Sequence, residues 1–180
     1  MEATTKGGTE TIGWVRLALD GDEAAFTRIV AAHHRDMRQV CYVICGDLDL
    51  ADEAVQAGWA LAWRKLGSLR EPERLRPWLV SIAANQARDL VRNRQRHPIV
   101  ELALAADRDA GGDPGVRAAD IDLRNALARL KPDDRALLAL RYVAGLDSFE
   151  LARAIGMSPS GVRARLGRLL ASLRSELRDG

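Results

Sequence analysis

Apolar residues recur at helical spacing along most of the chain, and no stretch alternates in the manner of a strand. The longest pattern begins after Asp22, which can cap a helix, and continues to Cys45, where Gly46 ends it. A shorter helix is predicted over residues 11–19. The apolar stripe of the long helix consists of Phe26, Ile29, Val30, Met37, Val40, Cys41 and Ile44. We therefore expect an all-α fold.

A third helix is predicted where acidic residues precede another apolar stripe. Asp49 is placed as its cap, with Asp52 three residues later, and the helix is expected to run to Leu66 before Gly67. Asp52, Glu53 and Gln56 mark its polar face.

A fourth helix is expected to begin near Arg76 and Pro77, after a loop that contains Pro72. Its apolar face consists of Leu75, Trp78, Leu79, Ile82, Ala83, Gln86 and Leu90. Its opposite face consists of Ser81, Asn85, Arg88, Arg92 and Arg96. Amides and guanidiniums at successive helical turns are suited to following a nucleic-acid backbone.

Residues 107–115 interrupt the helical pattern with glycine, a proline and charge, which is typical of a linker. A helix is predicted over residues 116–130, and another over 133–142 that starts at Pro132 and stops before Gly145. The expected organisation is two small helical domains, residues 1–97 and 117–180, joined by a flexible acidic linker, residues 98–116.

Residues 146–170 match a helix-turn-helix. Asp147 and Glu150 form a capping box for a short helix that Gly156 ends. Ser158 then caps a second helix, with Pro159 at its first position, where a missing N–H costs nothing.

The second helix of this pair has the character of a DNA recognition helix. Val162, Leu166, Leu169 and Leu170 share its buried side, whereas Arg163 and Arg165 flank the outward face. Small outward residues between flanking arginines can enter a major groove and hold phosphates. The outward residues are Ser160, Gly161, Ala164 and Arg168. The alternative is an ordinary helical hairpin with a solvated basic face.

Charge is distributed unevenly along the 180 residues, although Lys+Arg number 27 against 25 Asp+Glu. Residues 85–96 carry four arginines and one aspartate, and residues 159–180 carry five arginines and two acids. Residues 97–122 between them carry six acids and two arginines. Two basic segments separated by an acidic one indicate two contacts with a polyanion. No membrane span or signal peptide is predicted, so we expect a cytoplasmic protein.

The cysteines and histidines do not predict a catalytic or metal site. Cys41 and Cys45 lie one helical turn apart, and Cys41 continues an apolar stripe, which favours packing over a disulfide. A metal site with His33 and His34 is the weaker alternative. We find no nucleophile–base pair or phosphate loop, and expect neither enzyme activity nor a cofactor.

The order of these motifs resembles the extracytoplasmic-function branch of bacterial sigma factors, which keep regions 2 and 4 only. The first half matches with AF at 25–26, GD at 46–47, ADEAVQ at 51–56, AWRKL at 62–66 and WLVSIAANQARDLVR at 78–92. The second half matches from Ala126 to Arg168. Either half alone is a weak signal, but the pair in this order is specific.

The resemblance implies a specificity subunit of RNA polymerase that recognises promoter DNA and initiates transcription, with an anti-sigma factor as an expected partner. It assigns core polymerase binding to Asp52, Glu53 and Gln56. It assigns capture of the melted −10 strand to Trp78, Asn85, Arg88, Arg92 and Arg96, together with the loop over residues 67–77. It assigns −35 reading to Ser158, Ser160, Arg163, Ala164, Arg165 and Arg168.

The chain departs from the family pattern at Ala57, where an acidic residue is usual, and at Ser160–Gly161 and Arg163–Ala164 in the recognition helix. Promoter preference therefore does not transfer from relatives. The alternative function is a stand-alone helix-turn-helix regulator whose N-terminal helices sense a ligand or dimerise.

Overall fold

The computed structural model describes residues 3–96 and 118–179, and the predicted linker, residues 98–116, lies outside them. The helices of the first half are α1 (Ala3–Leu19), α2 (Glu23–Cys45), α3 (Leu48–Lys65) and α4 (Leu75–Arg96). Those of the second half are α5 (Ala118–Arg129), α6 (Pro132–Leu138), α7 (Ser148–Ile155) and α8 (Pro159–Asp179). The all-α prediction is confirmed.

Local capping explains where α2 begins and ends. The Asp22 carboxylate accepts a hydrogen bond from Ala25 N at 3.0 Å, and Gly46 adopts the left-handed conformation with φ 71°. Both boundaries were predicted. Leu19 ends α1 as predicted, although that helix begins earlier than residue 11.

The predicted cap of α3 was wrong. Asp47, and not Asp49, is the N-cap, and its carboxylate accepts from Leu50 N at 2.9 Å. The chain leaves Gly46 directly into the extended conformation of Asp47, so Asp49 already lies in the first turn. There its charge still faces the positive end of the helix dipole.

The start of α4 falls near its predicted position, whereas the end of the helix after Pro132 differs from the sequence interpretation. A 3-10 turn, Pro72–Arg74, precedes α4, which begins at Leu75. The helix predicted over 133–142 is α-helical only through Leu138 and continues as a π-helical segment, Ala139–Val143. The wider π turn closes with the hydrogen bond from Ala144 N to Ala139 O at 3.0 Å.

The two halves share one continuous apolar core. Helix α4 packs against α2 and α3 of its own half and against α6, the π-helical segment and α7 of the other half. Helix α4 buries Ala84, Ala87 and Val91 in addition to its predicted stripe. Helix α6 contributes Ala136, Leu137 and Leu138 to the shared core.

Helices α3 and α4 cross closely at Gly58. A Cβ built on Gly58 would lie 3.1 Å from Met37 Cε and 3.5 Å from Ala83 Cα. Met37 and Ala83 are both fully buried, so a larger side chain at residue 58 has no room.

We expect Gly58→Leu to destabilise the protein by about 1–3 kcal/mol, because overpacking must displace Met37 or separate the helices. Gly13→Leu is the matched control, since Gly13 is exposed on α1 and a Cβ there meets nothing within 4 Å. The control should be neutral or stabilising by up to about 1 kcal/mol. Urea unfolding measures both, and equal stability of the two variants would contradict close packing at Gly58.

Candidate nucleic-acid and polymerase interface

The turn between α7 and α8 has the geometry of a helix-turn-helix. Asp147 Oδ1 accepts from Phe149 N at 2.7 Å and Glu150 N at 2.8 Å, while Glu150 Oε2 accepts from Asp147 N at 2.9 Å. Gly156 ends α7 with φ 69°, and Ala152 is buried against the core. The predicted capping box and turn are confirmed.

Helix α8 presents the surface that the sequence assigned to the −35 element. Ser158 Oγ accepts from Gly161 N at 3.1 Å, while Val162 and Leu166 anchor the helix in the core. Five of the six assigned side chains are exposed: Ser158, Ser160, Arg163, Ala164 and Arg168. Neither Arg163 nor Arg168 forms an ion pair with any other residue that the structure describes.

Arg165, the sixth assigned residue, is half-buried and holds α8 against α6. Its Nε donates to Asp134 Oδ1 at 2.8 Å, and its Nη2 lies 2.6 Å from the same oxygen. Its Nη1 also lies 3.7 Å from Met157 Sδ. The helical wheel could not reveal this pairing, because Asp134 lies 31 residues earlier in the chain.

The basic face of α4 lies partly against the second half of the protein. Arg96 is exposed and Trp78 and Asn85 are half-buried, whereas Arg88 and Arg92 both contact Asp133 of α6. The sequence interpretation placed these arginines correctly on one face of α4. It did not identify their carboxylate partner.

The polar face of α3 brings together the three residues assigned to core polymerase. Asp52, Glu53 and Gln56 are all exposed. Arg38 Nε donates to Asp52 Oδ1 at 2.5 Å, and this hydrogen bond is the main reason that the pKa of Asp52 is lowered. The hydrogen bond from Arg38 therefore holds the Asp52 carboxylate in place and favours its ionised form. Glu53 beside it has no ion pair with any described residue.

The two cysteines lie in the packing between helices. Cys41 is fully buried and its Sγ lies 3.5 Å from Ala83 O, as expected for a core residue. Burial raises the pKa of Cys41 and raises that of Cys45 to about 11, so both thiols stay protonated at neutral pH. Within residues 3–96 and 118–179, no His, Cys, Asp and Glu side chains gather in a group that could hold a metal ion.

These features define a two-part helical protein with an arginine-bearing helix, α4, in its first half and a helix-turn-helix in its second half. In the described part of the chain, no helix is long and apolar enough to cross a bilayer. Two family models match in the same order: sigma-70 region 2 over residues 29–97 and sigma-70 region 4 over residues 120–173.

Known relatives agree with both matches. The chain is 32% identical over 165 residues to the RNA polymerase sigma factor CarQ of Myxococcus xanthus, covering 88% of this chain and 92% of CarQ. It is 31% identical over 168 residues to the probable RNA polymerase sigma factor RfaY of Xanthomonas campestris pv. campestris. That match covers 89% of this chain but 42% of RfaY.

A solved structure extends the likeness to the fold of both halves. CnrH, a sigma factor of Cupriavidus metallidurans solved in complex with the cytosolic domain of CnrY, superposes with a TM-score of 0.69 and 27% identity. The superposition covers 94% of this chain and 98% of CnrH. The chain belongs to the RNA polymerase sigma factors, in the extracytoplasmic-function branch.

The capping box gives the helix-turn-helix a testable dependence on pH. Hydrogen bonds from the backbone N–H groups of Glu150 and Phe149 lower the pKa of Asp147. A carboxylate whose pKa is lower in the folded protein than in the unfolded chain stabilises the fold at any pH above the unfolded pKa, about 3.9. This stabilisation is lost as the pH falls through the folded pKa.

We expect Asp147→Ala to lower the Tm by about 5 °C at neutral pH. The difference from the parent protein should shrink below a pH of about 4. Asp147→Ser is the control, because a serine hydroxyl keeps a capping oxygen but does not titrate. Thermal unfolding followed by circular dichroism measures all three proteins. A difference in Tm between the parent and Asp147→Ala that stays constant down to strongly acidic pH would contradict the assignment.

Proposed function

We propose that the two halves of this sigma factor divide promoter recognition between α4 and α8, while α3 docks on core RNA polymerase. The observation that carries this proposal is the exposure of two chemically different surfaces: carboxylates on α3, and Ser160, Arg163 and Arg168 on α8. A specificity subunit needs both, one for its enzyme and one for DNA. The protein then acts without catalysis of its own, in the cytoplasm where polymerase works.

The polymerase surface consists of Asp52, Glu53 and Gln56 on one exposed face of α3. Complementary charge across an interface mainly raises the association rate and fixes the register of docking. Ala57 is half-buried beside this face and adds no charge, so the docking strength rests on Asp52 and Glu53.

The −10 surface consists of α4 and the loop that leads into it. Trp78 lines a cavity of about 280 Å³ together with Leu69, Pro77 and Ser81. An aromatic wall can stack on an unpaired base, and arginines along the helix can bind the backbone of the same strand. Asn85, Arg88, Arg92 and Arg96 supply those polar contacts.

The −35 surface consists of the exposed side of α8. Arg163 lies near the N-terminal end of the helix, where recognition helices contact base edges, while Arg168 lies more than a turn later and meets phosphate. Ser158, Ser160 and Ala164 complete the surface. Arg165 acts as a positioning residue, because its ion pair with Asp134 fixes α8 relative to α6.

A protein regulator is also part of the proposal. CnrH was solved with the cytosolic domain of CnrY bound, and both halves of this chain superpose on CnrH together. We propose an anti-sigma partner for this chain on that likeness.

The docking surface is tested with Asp52→Asn combined with Glu53→Gln. We expect this variant to bind core polymerase about tenfold more weakly, because two interfacial charges are lost. Asp20→Asn combined with Glu23→Gln removes the same charge from exposed residues at the turn between α1 and α2 and should change affinity less than about twofold. Equal losses in a quantitative pull-down would contradict the assignment.

The DNA-reading surface is tested by selecting randomised −35 sequences with each mutant holoenzyme. Arg163→Ala should relax preference at one position and cost about 1–3 kcal/mol on the preferred base. Arg168→Ala should weaken all sequences alike and lower the salt slope by about 1. Unchanged preferences with Arg163→Ala would assign specificity to Ser160 or to DNA shape. Tight, sequence-specific binding of duplex promoter DNA by the isolated chain, with no gain from core enzyme, would contradict the function as a whole and favour the stand-alone regulator.

A further inference from the structure

The arginines assigned to the −10 strand already hold an anion in the free chain. Arg92 Nη2 donates to both carboxylate oxygens of Asp133 at 2.6 Å. Arg88 Nε lies 3.0 Å from Asp133 Oδ1, an ion pair whose N–H is not aligned as a hydrogen bond. Asp133 belongs to α6 and both arginines belong to α4, so this contact joins the two halves of the protein.

Two guanidiniums meet one acidic group here, a grouping that can also hold a phosphate. Arg88 and Arg92 lie one helical turn apart on the same face of α4, and one acidic group lies between them. Guanidinium groups bind carboxylates and phosphates through the same planar donor geometry. The Arg88 side chain is only 19% exposed, so a DNA backbone cannot reach it while Asp133 is in place.

Further polar contacts join the start of α4 and the loop before it to the second half. Arg76 Nη1 donates to Ala144 O at 2.6 Å, at the end of the π-helical segment. Arg153 of α7 lies 3.8 Å from Glu71. The cavity beside Trp78 is lined on its other side by Glu150, Arg153 and Ala154 of α7. The second half therefore lies against part of the basic face of α4 and against one side of the cavity beside Trp78, while Arg96 stays exposed.

We infer that Asp133 substitutes for a promoter phosphate in the free chain and keeps the −10 surface closed until the two halves separate. The inference rests on the proposed assignment of Arg88 and Arg92 to DNA. When the two halves separate, a promoter phosphate replaces the Asp133 carboxylate between Arg88 and Arg92. Both guanidiniums are therefore paired with an anion in either state.

Two polar features of the interface between the halves favour reversible separation. Asp133 and Arg92 are each more than a third exposed, so water and salt screen their ion pair. Arg135, two residues further along α6, is buried with its Nε unpaired among the described residues. Burying the Arg135 guanidinium without a full set of hydrogen-bond partners costs free energy. This cost disfavours the closed state and offsets part of the free energy gained from apolar contact between the halves.

The test compares Asp133→Asn with the parent protein in the full chain. The amide keeps the shape of the carboxylate but loses its charge. The probe is a fluorescein-labelled single-stranded DNA oligonucleotide of mixed sequence, and its binding is followed by anisotropy without polymerase. We expect about tenfold tighter binding, because the competent state is more populated. Small-angle X-ray scattering should show a larger radius of gyration.

The matched control is Glu176→Gln, which removes one negative charge from the second half. Glu176 pairs with Arg129 within that half, so its loss leaves the interface unchanged. We expect less than about a twofold change in affinity from net charge alone. Adding Arg88→Ala and Arg92→Ala to Asp133→Asn should abolish the gain. Circular dichroism of each variant checks that it is folded.

The outcomes separate this inference from the proposed function. If Asp133→Asn has the same DNA affinity and the same radius of gyration as the parent and Glu176→Gln, the inference is overturned. The assignment of the arginines to DNA then stays intact. Expansion without tighter DNA binding would contradict the assignment of Arg88 and Arg92 to DNA, and the inference with it. A gain that persists without the two arginines would overturn the inference, because the DNA would then bind elsewhere.

Discussion

The arrangement of this sigma factor depends on the packing of α6 against α2 and α4. Helix α6 has seven residues, too few to be stable alone, so its apolar side chains must be buried by neighbouring helices. Ala136, Leu137 and Leu138 enter the shared core, and Asp133 and Asp134 at the start of the same helix meet arginines on either side. One short helix thereby fixes the recognition helix α8 and joins it to α4.

This packing explains why the two surfaces proposed to bind DNA differ. The α8 surface depends only on its own half, where Arg165 and Asp134 fix the helix and leave Arg163 and Arg168 exposed. The α4 surface depends on where the other half lies, because Asp133 and α7 cover it. A surface that changes with domain position suits the proposed −10 capture, because that step follows polymerase docking.

Features set by neighbouring residues could be predicted from the sequence. The caps at Asp22, Asp147 and Ser158 and the glycine stops at Gly46 and Gly156 each depend on a few adjacent positions. The prediction of Asp49 as the cap of α3 was wrong, because Asp47, two residues earlier, is the N-cap. The pairing of Arg165 with Asp134 and of Arg92 with Asp133 joins residues 31 and 41 apart. Periodicity carries no signal for such contacts, so the site could be placed on faces but its internal partners could not.

The central claim is that one surface of α4 contacts the second half of the protein in the free chain and binds DNA in the holoenzyme. The most direct test measures the distance between the halves in both states, with nitroxide labels at Gln95→Cys on α4 and Ala171→Cys on α8 and pulsed electron resonance as the readout. Burial keeps the native thiols protonated and slow to react. The account predicts one narrow, short distance in the free chain and a longer one once core polymerase and promoter DNA are bound. The same distance distribution in both states would contradict it.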